Sequence, residues 1–136
     1  MVDEPELNLH PENQRRLARF IATLVNNGIK VFVTTHSDYI IKEINTLIMF
    51  DQEKPHFSEI RKKFKEYLPE DKLAYSRVAL YMTGIEKILK SGNKKKTKSK
   101  TLVRANVNSV VGIEAKSFDI TINEMNTLQE ALYYEQ

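Results

Sequence analysis

The first fifty residues combine short apolar runs with one longer stretch in which apolar side chains recur every three or four positions. Residues 31–33 form an apolar run rich in β-branched side chains, which is typical of a buried strand, and Met1 and Val2 fit the end of another buried strand. The stretch between them predicts an amphipathic helix that begins at Pro11 and ends before Gly28. Its apolar face comprises Leu17, Phe20, Ile21, Leu24 and Val25.

This order of strand, helix and strand predicts where the polar residues at the strand ends lie. A crossover of this length joins parallel strands, and the carboxyl ends of parallel strands open at the same edge of a sheet. We therefore expect Asp3, Glu4 and His36 to converge at that edge, where open α/β sheets bind ligands. We expect Arg15, Arg16 and Arg19 to lie largely on the other faces of the helix.

Two further helices are predicted before residue 70. Ser37 and Asp38 favour the start of a helix that carries a second set of apolar side chains. Residues 57–68 have the spacing of an amphipathic helix, and Pro69 is expected to end it. Residues 69–72 are the best candidate for a boundary within the chain.

The remainder of the chain predicts shorter elements. Residues 78–82 and 101–107 have the composition of two antiparallel strands joined across a lysine-rich loop. Residues 84–90 fit either a helix or a strand. Residues 113–116 predict a short strand, and Ser117 is expected to cap a last helix.

The adjacent acids Asp3 and Glu4 have the chemistry of a nucleotide-hydrolysing site. Hydrolysis of a γ-phosphate requires a metal ion that neutralises charge and a group that orients water, and two carboxylates at a strand end can serve both needs. In isolation, an Asp-Glu pair is more often a solvated turn, and a histidine beside Thr35 and Ser37 more often serves in a cap or turn. The two motifs at the two ends of one crossover helix favour the functional interpretation.

Residues 3–11, Asp-Glu-Pro-Glu-Leu-Asn-Leu-His-Pro, resemble the Walker B motif and D-loop of ABC-type ATPases, in particular the RecF-like and OLD-like branch that includes phage-defence ATPases. Residues 34–37, Thr-Thr-His-Ser, resemble the switch-histidine loop of that branch. The resemblance implies that Asp3 binds Mg²⁺ through water, Glu4 polarises the hydrolytic water and His36 contacts the γ-phosphate of ATP. It also implies a D-loop that meets a partner subunit through Leu7, Asn8 and Leu9.

Two parts of such a site are missing from the sequence. No Gly-x-x-x-x-Gly-Lys-Ser/Thr motif occurs, and the four glycines, at positions 28, 84, 92 and 112, cannot form a phosphate-binding loop of that kind. The signature motif that completes the other nucleotide face is not recognisable either. We therefore expect the carboxyl-terminal part of a longer ATPase, an enzyme only when a P-loop segment completes it. Its expected partner is that amino-terminal segment or a second copy of this chain.

The predicted fold class is α/β. We expect a partial P-loop NTPase sheet of the ABC type with flanking helices, followed by a small α+β carboxyl-terminal appendage. The predicted parts are a strand-helix-strand-helix unit in residues 1–50, a connecting helical segment in residues 51–76 and an α+β segment in residues 77–136.

Composition adds the compartment and one alternative partner. The chain has no cysteine, no secretory segment and no apolar run long enough to span a bilayer, so we expect a cytoplasmic protein without a membrane partner. The net charge of +3 does not by itself indicate nucleic acid. A dense group of lysines in residues 94–100 fits a solvated loop, or contacts with a nucleic-acid backbone. These lysines are Lys94, Lys95, Lys96, Lys98 and Lys100.

Three functions from different classes remain open on the sequence alone. The first is half of an ATPase site that uses ATP and Mg²⁺. The second is a non-catalytic dimerisation or scaffold module in which ATPase motifs persist as structure. The third is a nucleic-acid-binding protein that uses the lysine-rich loop.

Overall fold

The computed structural model describes residues 1–88, 97–114 and 116–134 of the 136-residue chain. The helices are α1 (Pro11–Asn26), α2 (Asp38–Phe50), α3 (Phe57–Lys63) and α4 (Lys116–Tyr134), and a short 3-10 turn spans Tyr75–Arg77. The strands are β1 (Val2–Asp3), β2 (Val33–Thr34), β3 (Tyr81–Ile88), β4 (Thr97–Arg104), β5 (Asn106–Asn108) and β6 (Gly112–Glu114).

Strands β1 and β2 are parallel, with Val2 opposite Val33 and Asp3 opposite Thr34. This confirms the predicted strand-helix-strand order and the shared edge at the carboxyl ends of the strands. The predicted burial of these strands is wrong, because Val2 is 45% exposed and Phe32 is 61% exposed. In the described part of the chain this sheet has two strands only, so neighbouring strands do not cover its apolar side chains.

Helix α1 has the predicted limits. It begins at Pro11, ends at Asn26, and is followed by Gly28 with a φ of 85°. Its apolar face differs from the prediction, because Ala18 and Ala22 are its buried residues, whereas Phe20 is 58% exposed. Small side chains are expected where two helices pack closely, and α1 packs against α2.

Of the three arginines predicted to lie largely off the packed face of α1, two have side chains that are only partly exposed. The side chains of Arg15 and Arg19 are 30% and 12% exposed, and both pair with Glu43, which is 3% exposed. Arg16 is 69% exposed. Helical spacing places all three arginines outside the apolar stripe of α1. Arg15 and Arg19 are nevertheless partly buried, because they bind the buried carboxylate of Glu43 on α2.

The larger of two core clusters in the described residues lies between α1, α2 and the segment after α2, and the second joins Ile41 of α2 to Ala105 and Ile113. Ser37 caps α2 as predicted, because its Oγ accepts a hydrogen bond from Ile40 N at 3.2 Å. Phe50 packs edge-on against Phe57, with ring centroids 5.5 Å apart. The larger core cluster of buried side chains comprises Ala22, Leu47, Phe50, Phe57, Tyr67 and Leu73.

Helix α3 is shorter than predicted. It ends at Lys63, and Phe64 leaves the helical region with φ −109° and ψ 78°. The chain then turns so that Tyr67 becomes buried, with its ring 5.3 Å from that of Phe50. Burial of this aromatic ring stabilises the turn. The prediction that the helix continues to Pro69 is therefore wrong.

The predicted antiparallel strand pair is confirmed in β3 and β4, but the first strand begins at Tyr81 rather than Val78 and continues to Ile88. Tyr81 lies opposite Arg104 and Ile88 opposite Thr97. The part of residues 84–90 that the structure describes is therefore a strand up to Ile88. Lys94, Lys95 and Lys96 lie outside the described residues.

The prediction for residues 101–107 is wrong at its end. Ala105 N donates a hydrogen bond to Leu80 O at 2.9 Å, and the chain then changes partner, because β5 pairs with β6. The predicted strand in residues 113–116 corresponds to β6, which ends at Glu114. Helix α4 already includes Lys116, which places Ser117 in its first turn rather than at its cap.

The fold class and the division into three parts stay predictions. Residues 1–50 contain β1, α1, β2 and α2 in the predicted order. The described ranges contain four helices and three separate two-stranded sheets. None of the helices described has the length and apolar character that a membrane crossing requires.

Candidate functional site

The ends of β1 and β2 bring the predicted site residues together. Glu4 N donates to Thr34 O at 3.0 Å and to Thr34 Oγ1 at 3.1 Å, which extends the parallel pairing one residue beyond β1. Thr34 Oγ1 in turn donates to Asp3 Oδ1. Thr34 therefore binds both the backbone of Glu4 and the carboxylate of Asp3. The parallel pairing of β1 and β2 predicts that these residues lie close together.

Glu4 and His36 meet directly. His36 Nε2 lies 3.1 Å from Glu4 Oε1, and the two side chains are 90% and 35% exposed respectively. Glu4 also has a φ of 40°, in the left-handed region that side chains with a Cβ rarely adopt. Backbone strain of this kind is maintained where surrounding contacts fix it, and it is concentrated at functional sites.

Glu6 is a site residue whose role the sequence does not reveal. It is 9% exposed, and its Oε1 accepts hydrogen bonds from Thr35 Oγ1 at 2.6 Å and from His36 N at 2.8 Å. Burial acts to raise the pKa of Glu6, but these hydrogen bonds outweigh it, so the pKa lies below its usual range. The sequence feature that could indicate this role is Pro5, because a turn at Pro5 directs Glu6 back towards the ends of β1 and β2.

The predicted D-loop residues lie on the surface beside Glu4 and Glu6. Leu7 and Leu9 are 64% and 36% exposed, and Asn8 has a φ of 64°. Hydrogen bonds from Leu7 N to Glu4 O at 3.2 Å and from Leu9 N to Glu6 O at 2.9 Å form two successive turns. These turns and the loop around His36 border an open groove of about 430 Å³.

Gln14 on α1 forms hydrogen bonds to both the D-loop turns and the loop that carries His36. Its Nε2 donates to Leu9 O at 2.9 Å, and its Oε1 accepts a hydrogen bond from Ser37 Oγ. Ser37 also caps α2, so the loop that carries His36 is joined to both helices. The groove is therefore bordered by residues that secondary structure holds in place.

The side chains at the site whose chemistry would suit a metal ion are carboxylates. Asp3 is exposed at the end of β1 and Glu4 follows it directly. Over residues 1–88, 97–114 and 116–134, no three histidine, cysteine or acidic side chains are grouped so that they could share a metal ion. Carboxylate oxygen is nevertheless the ligand type that Mg²⁺ uses, and Mg²⁺ commonly keeps several water molecules in its shell.

The lysine-rich loop is only partly described. Lys98 and Lys100 lie on β4, and Lys100 is exposed. The other candidate contacts to nucleic acid lie outside the residues that the structure describes. They are Lys94, Lys95 and Lys96. Nucleic-acid binding therefore stays a prediction.

Comparison with known proteins gives a match to the first part of the chain. A model of the AAA ATPase domain family matches residues 1–41. No curated protein and no solved structure gives a significant match to the chain. The matched segment includes β1, α1, β2 and the start of α2, and thus Asp3, Glu4, Glu6 and His36. Residues 1–41 are an AAA-type ATPase-like region.

Proposed function

We propose that this chain supplies one half of a nucleotide-hydrolysing site of the ABC type, in the RecF-like and OLD-like branch. Its half provides the Mg²⁺-water contact, the catalytic glutamate and the histidine that senses the γ-phosphate. The P-loop, which the 136 residues do not contain, comes from another polypeptide segment. The chain alone is expected to hydrolyse ATP negligibly, because nothing in it grips the β- and γ-phosphates.

The observation that carries this proposal is the meeting of Glu4 and His36 within the segment that the AAA ATPase family model matches. The two side chains approach to 3.1 Å across the ends of two parallel strands. A glutamate can orient and polarise water, and a neighbouring histidine can contact the phosphate that the water attacks. The high exposure of His36 leaves its ring accessible to a nucleotide placed over this edge.

Asp3 fits a water-mediated role towards Mg²⁺. Its carboxylate is held by Thr34 Oγ1 at the end of β1 and is exposed to solvent. Mg²⁺ in nucleotide sites is typically bound by one or two carboxylates together with phosphates and waters, so a single oriented acid is appropriate there. When bound, Mg²⁺ would neutralise charge on the transferred phosphoryl group.

The test joins residues 1–136 to an amino-terminal ATPase segment that carries a P-loop, and follows ATP binding and phosphate release. We expect Glu4→Gln to retain ATP binding and to reduce phosphate release by roughly 100-fold or more, the scale of a lost general base. Glu12→Gln, in the first turn of α1, is the matched control and should behave like the parent. Equal hydrolysis by Glu4→Gln and the parent would instead favour the non-catalytic scaffold function.

The exposed apolar residues near β1 support the association expected from the sequence. Met1 is 92%, Val2 45% and Phe32 61% exposed, and they accompany a strand whose outer edge is unpaired among the described residues. Such an edge favours the addition of another strand. We include in the proposal that the P-loop segment, or a second copy of the chain, covers this surface. Sedimentation velocity with and without the P-loop segment tests it.

A further inference from the structure

We infer that Glu6 is a positioning residue, which sets the place of His36 relative to Glu4 by binding the backbone and side chain of the loop that carries the histidine. This inference rests on the proposed function, because the position of His36 matters only if its ring meets a phosphate. It assigns to the second acid of the Asp-Glu-Pro-Glu segment a role distinct from the roles of Asp3 and Glu4.

The geometry makes Glu6 the direct connection between the two halves of the site. The carboxylate oxygen Oε1 accepts from Thr35 Oγ1 at 2.6 Å and from His36 N at 2.8 Å. Thr35 Oγ1 also accepts from Ser37 N at 3.0 Å. One carboxylate oxygen thus organises three consecutive residues, and the central one is His36.

The backbone around Glu4 places the Glu6 side chain where it can do this. The φ of 40° at Glu4 turns the chain immediately after β1, and the ring of Pro5 fixes the φ of Pro5 within this turn. Glu6 then returns beneath the loop that follows β2, although Thr35 is 29 residues away in sequence. The same turn that exposes the Glu4 carboxylate therefore buries the Glu6 carboxylate.

Burial strengthens the contact between Glu6 and the loop. Glu6 is 9% exposed, and a hydrogen bond to a charged acceptor in such surroundings is roughly twice as strong as one between neutral groups. By contrast, the His36 ring is 90% exposed, so few neighbouring side chains restrict its position. The position of the ring depends on its backbone, and the backbone N–H is bound by Glu6.

The test measures the position of His36 by NMR on the full chain without nucleotide. The wild-type protein should show a nuclear Overhauser contact between the His36 ring and the Glu4 side chain, since Nε2 and Oε1 are 3.1 Å apart. In Glu6→Ala we expect this contact to be lost and hydrogen exchange of the His36 amide to become roughly 10- to 100-fold faster, the effect of one charge-assisted hydrogen bond. Glu6→Gln keeps an acceptor oxygen and should preserve the contact.

The controls separate positioning from general stability. Glu12→Ala removes a carboxylate that binds Arg15 and Arg16 outside the loop, and it should leave the His36 amide unchanged. If Glu6→Ala does not fold, Glu6→Asp replaces it, because a carboxylate one methylene shorter cannot reach both donors. The inference is overturned if the His36–Glu4 contact persists in folded Glu6→Ala, or in folded Glu6→Asp where that variant replaces it. Because no nucleotide is present, that result would leave the hydrolysis test of Glu4→Gln unaffected.

Discussion

Arg19 Nη1 donates a hydrogen bond of 2.6 Å to Glu43 Oε1, and this carboxylate is almost completely buried between α1 and α2. The other oxygen, Oε2, accepts from Arg15 Nε at 3.0 Å and from Tyr67 Oη at 2.9 Å. Both oxygens of Glu43 therefore have partners, as a buried charge requires. The cluster of Arg15, Arg19, Glu43 and Tyr67 joins α1 to α2 and to the turn after α3.

Removal of the Glu43 carboxylate is expected to destabilise the protein strongly. Glu43→Ala leaves two partly buried guanidinium groups without their shared acceptor, and breaking a buried ion pair typically costs about 3–5 kcal/mol. Urea denaturation followed by circular dichroism measures the free energy of unfolding. Glu59→Ala, an exposed acid on α3, is the control and should change it by less than about 0.5 kcal/mol. A loss below about 1 kcal/mol for Glu43→Ala would show that the cluster contributes little.

Tyr67 predicts a dependence of stability on alkaline pH. Burial raises the pKa of Tyr67 above its usual range, and the hydrogen bond to Glu43 adds to the rise against the opposing effect of Arg15. A raised folded-state pKa means that the folded protein holds the phenolic proton more tightly than the unfolded chain. This stabilisation is fully present below the unfolded pKa of about 10 and is lost as the pH rises through the folded pKa.

The variant Tyr67→Phe tests this dependence. At neutral pH it removes a hydrogen bond from Glu43, and we expect a loss of about 1–3 kcal/mol in the free energy of unfolding. The difference between wild type and variant should then become smaller above about pH 10. Tyr75→Phe, at a tyrosine that is 47% exposed, is the control and should change the free energy of unfolding at neutral pH by less than about 0.5 kcal/mol. A constant difference between wild type and Tyr67→Phe from neutral to alkaline pH would contradict the expectation.

The elements that the sequence predicts correctly depend on signals within a few residues. Pro11 and Gly28 mark the limits of α1, and Ser37 caps α2 through a residue three positions later. The parallel pairing of β1 and β2 follows from the length of the crossover between them. The convergence of Glu4 and His36 follows in turn from that pairing, so this part of the site is accessible to sequence reasoning.

The parts that sequence reasoning misses depend on contacts between distant residues. Arg19 is polar and lies off the apolar stripe of α1, but Glu43, 24 residues later, makes its burial favourable. Glu6 is one of several acids in its segment, and only the fold brings Thr35 to it. Similarly, α3 ends earlier than predicted because Tyr67 packs against Phe50. Hydrophobic periodicity contains no information about such partners.

Two glycines with positive φ separate the effect of backbone strain from that of crowding. Gly28 has a φ of 85°, and a Cβ added there would have nothing within 4 Å, so Gly28→Ala meets only the strain of the left-handed region, about 1 kcal/mol. Gly112 has a φ of 77°, and a Cβ there would lie 2.5 Å from Asn45 Oδ1. Asn45 cannot move freely, because its Oδ1 accepts from Ile113 N at 2.8 Å.

We therefore expect Gly112→Ala to lower the free energy of unfolding by roughly 2–4 kcal/mol, since it combines strain with the loss of a partly buried hydrogen bond. Gly28→Ala is the matched control for strain alone. Addition of Asn45→Ala removes the obstructing side chain, so Gly112→Ala should cost less in that background than in wild type. Equal costs for the two glycine substitutions, measured by urea denaturation, would show that Asn45 adapts to the added methyl group and that crowding at the start of β6 is not limiting.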